Sequence, residues 1–434
     1  MLIKNCEYYD GKKFKKANIY VENGIISSID LLEEKTKKKP ISNKHADDEI
    51  FDAKDYYLIP GMINTHSHLP MTITRGIADN LTLQDWLFNV IFPVEGKFID
   101  NDFIKFGSTL GLIEMIKSGI TTSVEMYYLP EIMAETFKEI GFRGYIGIGS
   151  GDGTENGKQK AVNFIENYKN DELITPSPFA HAIYTTNENN LLWVKEISDK
   201  YNLAYQFHLL ETKPENENFF KENNQNLMNY LEKIGFLTKN LIAAHSVWLT
   251  DEDIKILKRN DVTVSHNANS NLKLNSGIIR LHSLLKENVN VTLGTDGAAS
   301  NNHISLLSEM NLAAKLHHIE SGEPINVHTV FNLITKNPAK ILNSKLGTIK
   351  EGNFADLVFI KKNHYSMLPS YNPISNLVYS MPTEAIDTVM INGKFVMKGK
   401  KLLTINEENF YKELNNYLSK INIMFFLERH STSK

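Results

Sequence analysis

The sequence predicts an α/β fold, a (β/α)8 barrel carrying a small β-sandwich domain assembled from both chain termini. Three observations point there. Between Tyr57 and about Gly352, short apolar strands alternate with helical patterns, which marks parallel βαβ units. Eight such strands can be counted, enough to close a TIM-type barrel. Histidines and carboxylates recur at the strand ends, where barrel enzymes carry their chemistry. The resulting division assigns residues 60–352 to the barrel, and 1–59 with 353–434 to the composite small domain.

The small domain comes first. Residues 18–21 lead into a Glu22-Asn23-Gly24 turn before 25–29, and 356–360 and 388–397 are similarly β-rich. The stretch 35–48 is polar and mixed in charge, so an exposed loop is expected. The barrel strands are read at 58–64, 120–125, 144–148, 179–184, 204–208, 241–245, 262–266 and 289–294. In the first helix Phe103, Phe106, Leu110 and Ile113 recur at helical spacing, with Asn101 or Asp102 as cap and Gly119 after the end. An open dinucleotide-binding sheet is disfavoured because no Gly-x-Gly-x-x-Gly turn follows the first strand.

Composition narrows the partners. The 434 residues are 42% hydrophobic and 23% charged, with 47 basic against 51 acidic side chains and a net charge of −4. A nucleic-acid surface would need phosphate-neutralising basic runs, which this near-neutral chain lacks apart from Lys35 to Lys39. The single cysteine, Cys6, can form neither an internal disulfide nor a thiolate metal site, so any metal takes nitrogen and oxygen ligands. Neither a signal segment nor a membrane span is expected, and the apolar 423–427 run reads as packing or an oligomer contact.

Strand ends carry the chemistry. Strand one ends in His66-Ser67-His68, strand five in His208 with Glu211 three residues on, strand six in His245, and strand eight in Gly294-Thr295-Asp296. His66 and His68 are two apart, so both leave one strand face. With His208 and Asp296 they make three imidazoles and a carboxylate, a donor set suited to zinc in an open catalytic site. Strand four has no lysine to bridge a second metal, so one divalent ion per chain is expected; it would lower the pKa of a bound water and supply the nucleophile of a hydrolysis. Glu211 is placed to shuttle a proton. His245 can ligate, orient the water or polarise a substrate, and a non-ligand role is preferred because four ligands are present. His181 reads as a pocket residue or a satisfied core histidine, and His266 as structural. Trp86 and Glu95 lie in the long connection after strand one, where an aromatic wall and a diol-binding carboxylate could face substrate, although the pattern by itself reads as ordinary loop packing.

These residues resemble the amidohydrolase superfamily, in its branch of 5-methylthioadenosine/S-adenosylhomocysteine deaminases. The resemblance spans nearly the whole chain. It rests on Pro60 to His68, His208-Leu209-Leu210-Glu211-Thr212, Ala243 to Thr250, Ser265 to Leu274, and most specifically Gly294-Thr295-Asp296-Gly297-Ala298-Ala299-Ser300-Asn301-Asn302. It implies metal binding by His66, His68, His208 and Asp296, proton transfer by Glu211 and Asp296, and activation by His245. It further implies that Glu95 meets the ribose hydroxyls, Trp86 walls the 5′ substituent, His181 touches purine or ribose, and Ser300 lies near the far end of the substrate.

One departure stands out. Relatives that take S-adenosylhomocysteine carry arginines after strand three for its carboxylate, whereas this chain has five arginines in all and places Ile148 and Lys158 in the nearest positions. Arg143 precedes the strand, leaving Arg280 or Lys158 as substitutes. The implied protein is a cytoplasmic homo-oligomer that deaminates a small nucleoside. The alternatives are a guanine, cytosine or triazine aminohydrolase or chlorohydrolase on the same scaffold, or a non-catalytic scaffold, which the complete ligand set disfavours.

Overall fold

The computed structural model describes residues 1–32, 49–151 and 154–431. Eight parallel strands form the barrel sheet, in chain order: β1 Met62–Ser67, β2 Ile120–Glu125, β3 Arg143–Ile148, β4 Ile174–Ala182, β5 Tyr205–Leu209, β6 Leu241–His245, β7 Thr263–His266 and β8 Asn290–Leu293. The barrel is filled by buried side chains, several of them polar and hydrogen-bonded to one another: Thr65 Oγ1 lies 2.7 Å from Ser265 Oγ and 2.8 Å from Thr292 Oγ1, and the Gln206 amide donates to Ser177 Oγ at 3.1 Å. The seam between β8 and β1 is closed by side chains. The Thr65 hydroxyl donates to the Leu293 carbonyl at 2.9 Å, and the Asn64 amide donates to Thr295 Oγ1 at 2.8 Å and accepts from Thr295 N at 3.0 Å.

The termini build a second, nine-stranded sheet that is mostly antiparallel. Its central strands are Leu357–Lys361, Tyr56–Pro60 and Leu2–Tyr9, flanked by the hairpins Phe14–Glu22 with Ile25–Leu31 and Ile386–Ile391 with Lys394–Lys398. A buried ion pair ties this sheet to the barrel: Arg143 Nε donates to Asp356 Oδ2 at 2.8 Å, and its guanidinium lies 4.2 Å over the Phe354 ring. Arg143 is thereby a structural residue at the bottom of β3. The C-terminal helices Glu407–Ile421 and Ile423–Ser431 lie against the barrel, with Tyr417 stacked on Phe106 at 4.9 Å and Phe426 edge-on to Phe98 at 5.3 Å.

Four details differ from the sequence reading. The 58–64 strand is two strands, Tyr56–Pro60 in the small sheet and Met62–Ser67 in the barrel. Proline ends the first, and Gly61 passes so close to Thr121 that a Cβ would sit 2.0 Å from its hydroxyl. The 388–397 segment is a hairpin turning at Asn392-Gly393, both with positive φ, as two-residue hairpin turns require. Strand β4 begins at Ile174 and ends at Ala182; Pro176 and Pro178 hid its start, yet residues two apart face one neighbour, so the missing donors fall on one side only. The first long barrel helix, Asn101–Lys117, is capped by Asp100, whose carboxylate accepts from Phe103 N at 2.8 Å.

The polar 35–48 stretch lies outside the described residues. Among the described residues, no helix is long and apolar enough to cross a membrane.

Candidate active site

At the C-terminal ends of the strands, four donor atoms converge. His208 Nε2 lies 3.2 Å from His66 Nε2 and 3.3 Å from His68 Nε2, while Asp296 Oδ1 lies 3.2 Å from His68 Nε2 and 3.5 Å from His66 Nε2. Ligands bound about 2.0–2.1 Å from one ion lie roughly 3–4 Å apart, and these four separations fall in that range; His66, His68 and His208 form one ligand-spaced group, and His66 joins Asp296 and His245 in a second. The rings are oriented for it. His68 Nδ1 meets the Met126 carbonyl at 2.5 Å and His208 Nδ1 meets that of His181 at 2.8 Å, so each Nδ1–H is spent on a carbonyl and Nε2 keeps its lone pair.

Protonation agrees with that role. Burial holds the His66 imidazole neutral, down to about 3, and burial with the neighbouring imidazoles holds His208 well below its usual range. Burial opposes the Asp296 charge, but hydrogen bonding to His66 and His68 outweighs it and keeps that carboxyl well below the usual carboxylate range. Its other oxygen, Oδ2, accepts from Ser270 Oγ at 2.6 Å and Ser300 Oγ at 2.7 Å. Neutral imidazoles at His66 and His208 and an ionised carboxylate are what a divalent ion binds, whereas at His68 hydrogen bonding to Asp296 outweighs burial and raises the imidazole from its ordinary value.

Glu211 and His245 border this centre. His245 Nε2 is 3.7 Å from Glu211 Oε2, and its Nδ1 is 2.8 Å from Asn271 Oδ1. The His245 ring also comes within ligand spacing of His66 and Asp296. Burial raises the Glu211 carboxyl, as a group that must carry a proton requires, and Ser276 Oγ donates to its Oε1 at 3.2 Å. Several strand-end residues have left-handed backbone without being glycine: Leu210, His245, Ser246 and Asp296. Such strain persists only where the surroundings hold it, and here it coincides with the polar cluster.

The cluster forms one end of a cavity of about 1010 Å³ that also includes Trp86, Glu95, Ile148 and His181. Trp86 closes the short helix Leu83–Trp86, and Glu95 lies in Phe92–Phe98. Tyr127 OH donates to Glu95 Oε1 at 2.6 Å, and burial pushes the Glu95 carboxyl up to about 7. His181 lines the cavity with its ring while its carbonyl orients His208, so it serves both as pocket wall and as support. His266 is buried in β7 and does not line the cavity.

Two expectations need correction. Ser300 was placed near the far end of the substrate; its hydroxyl instead bonds Asp296 Oδ2 and Gly297 O, and it does not line the cavity. Neither proposed substitute for the missing arginines reaches the cavity. Lys158 Nζ pairs with Glu155 at 3.2 Å, and Arg280 pairs with Asp251 at 2.6 Å. Among the described lining residues the one lysine or arginine is Lys160, exposed on the helix Glu155–Tyr168. Sequence reasoning also missed Tyr127, Ser270, Asn271 and the buried Glu215. Ser270 and Asn271 lay inside a quoted motif without a role, whereas Tyr127 had no local signal.

Known proteins resemble this chain in sequence and in fold. Residues 57–396 match the model of the amidohydrolase family. A 5-methylthioadenosine/S-adenosylhomocysteine deaminase from Thermococcus sibiricus is 41% identical, covering 92% of this chain and 94% of its own. A 5'-deoxyadenosine deaminase from Methanocaldococcus jannaschii is 39% identical, covering 95% and 97%. The zinc-bound crystal structure of an adenosine deaminase from Xanthomonas campestris superposes with a TM-score of 0.89 at 27% identity, covering 97% of this chain and 98% of that one.

Proposed function

Since the chain belongs to the amidohydrolase family, we propose that it is a metal-dependent hydrolytic deaminase of adenosine-type nucleosides, converting 5-methylthioadenosine, S-adenosylhomocysteine or a related 5′-substituted adenosine to its inosine analogue and ammonia. The observation that carries this reading is the pairing, at one cavity, of the converging histidine and carboxylate donors with Glu95, a carboxylate suited to a ribose diol. His66, His68, His208 and Asp296 would hold one divalent ion, and the zinc-bound neighbour supports zinc. When bound, the ion supplies a water of lowered pKa as nucleophile.

The chain's own groups do the rest. Glu211, its carboxyl raised by burial, delivers a proton to the purine ring nitrogen next to the carbon under attack. Asp296, ionised and held by Ser270 and Ser300, accepts the proton that water gives up. His245, fixed by Asn271, stabilises the developing charge on the entering oxygen. A C–O bond forms, Asp296 passes the proton it took to the exocyclic amino group, the C–N bond breaks and ammonia leaves, and the proton remaining on the new oxygen returns to Glu211. Glu95, with Tyr127 on one oxygen, takes the ribose hydroxyls, while Trp86 and His181 wall the ring system.

At the far end, Ile148 offers a 5′ carboxylate nothing and Lys160 offers one exposed charge, so a small uncharged 5′ group is preferred. We also read the chain as a cytoplasmic homo-oligomer, supported by its single buried cysteine and by the exposed Ile319, Tyr365, Leu368 and Tyr371 side chains. The test is an ammonia-release screen over adenosine, 5′-deoxyadenosine, methylthioadenosine, S-adenosylhomocysteine, guanine and cytosine. Release from the adenosine set alone supports the reading, and release from guanine or cytosine alone replaces it.

A further inference from the structure

Glu215 is buried, charged in type and outside the cavity lining, and the reaction above gives it no task. It opens the helix Lys213–Asn223 and folds back over the preceding turn. Its Oε1 accepts from Leu210 N at 3.0 Å and its Oε2 from Glu211 N at 2.9 Å. Leu210 is left-handed with φ +46°, a conformation an L-leucine holds only under constraint. The same turn braces its neighbour: the Leu210 carbonyl accepts from Val247 N and Trp248 N, both at 3.0 Å, and Leu209 O accepts from Ser246 N at 2.8 Å. His245 and Ser246 are themselves left-handed.

We propose that Glu215 is a positioning residue, clamping the left-handed Leu210 turn so that the Glu211 carboxylate stands over the reacting purine. The inference rests on the deaminase reading, because it needs Glu211 as the proton carrier. The chemistry is specific to a carboxylate. Two adjacent N–H donors converge on it, and only a group with two acceptor oxygens satisfies both. Glutamine, of the same size, would turn an NH₂ group against one N–H and release one side of the clamp.

The experiment compares wild type with Glu215→Gln, Glu211→Gln and the double variant on methylthioadenosine, with metal content and melting temperature measured alongside. In Glu215→Gln, kcat is expected to fall about 10- to 100-fold from misplacement of the proton carrier, with KM and metal content near wild type. The double variant is expected to be no slower than Glu211→Gln, because the two act as one unit. Wild-type kcat in Glu215→Gln, or a double variant slower than Glu211→Gln by the full factor that Glu215→Gln costs alone, would overturn the inference. If Glu215→Gln is insoluble, Glu215→Asp, with both oxygens but one methylene short, must show the same kcat-selective loss, and wild-type kcat in it is the contrary result. A wild type that releases no ammonia sinks the deaminase reading and this inference with it; an active wild type with an indifferent Glu215 sinks this inference alone.

Discussion

Glu95→Gln isolates recognition of the sugar from the chemistry on the base. Glu95 Oε1 already accepts the Tyr127 hydroxyl at 2.6 Å, which leaves the second oxygen as the main acceptor for a ribose diol. In the variant the amide oxygen keeps Tyr127 and an NH₂ replaces that acceptor. One charge-assisted hydrogen bond is lost, worth about 1.5–3 kcal/mol, so kcat/KM on adenosine should drop roughly 10- to 150-fold. On 2′,3′-dideoxyadenosine, which has no diol, the two enzymes should differ little. The pH dependence has a definite sign. Burial raises the Glu95 carboxyl to about 7, so below that pH it is protonated and presents a donor where the diol needs an acceptor. The wild-type advantage on adenosine should therefore shrink as pH falls through 7 and persist above it, while the variant stays flat through that window. Initial rates of ammonia release on both substrates from pH 5.5 to 8.5 give the answer. Equal losses on the two substrates, or a pH-independent ratio, would refute the assignment.

Further consequences follow from the same geometry. Glu211→Gln should lower kcat by about 10²- to 10⁴-fold with metal content unchanged by elemental analysis, and metal loss would make Glu211 a ligand. Replacing both Ser270 and Ser300 by alanine frees Asp296 Oδ2 and should weaken metal affinity about 10- to 100-fold in a chelator competition, with unchanged affinity as the contrary result. Lys160 is exposed, so its pairing with a substrate carboxylate is worth about 0.2–1 kcal/mol. Lys160→Ala should thus cost S-adenosylhomocysteine no more than about fivefold in kcat/KM and leave methylthioadenosine unchanged, and methylthioadenosine should remain the better substrate. Burial raises the Glu309 carboxyl from 4.5 to about 7, so the folded chain keeps a proton that the unfolded chain releases in that window. Stability should fall as pH rises from about 4.5 to 7, by up to about 3 kcal/mol, and Glu309→Gln should flatten that slope in urea unfolding; an unaltered slope would exclude the effect.

How much could be read in advance depended on whether a residue's role was local. The eight strands were legible because each is a short apolar run between turn signals, and His66, His68, His208 and Asp296 stood out because strand ends share one face of a barrel. Errors arose where backbone chemistry overrode pattern. Pro60 and Gly61 split one apolar run between two sheets, and Pro176 and Pro178 concealed the start of a strand whose apolar character lies further on. Supporting groups were hidden for a different reason. Ser300 looked like a substrate contact because nothing in its motif says that its hydroxyl turns inward to Asp296, and Tyr127 meets Glu95 only through the fold. The far end of the cavity was misread because Lys158 and Lys160 share a helix, and which of them lines the cavity is set by rotation about its axis.

The central claim is that water replaces the amino group of an adenosine-type nucleoside. Turnover of methylthioadenosine or 5′-deoxyadenosine in ¹⁸O-enriched water, followed by mass spectrometry of the nucleoside with parallel ammonia assay, tests it most directly. The expected product is an inosine-type nucleoside carrying one solvent oxygen on the purine ring, with one ammonia for each product formed. Free adenine from cleavage of the glycosidic bond, or unchanged nucleoside with the metal site filled, would contradict it.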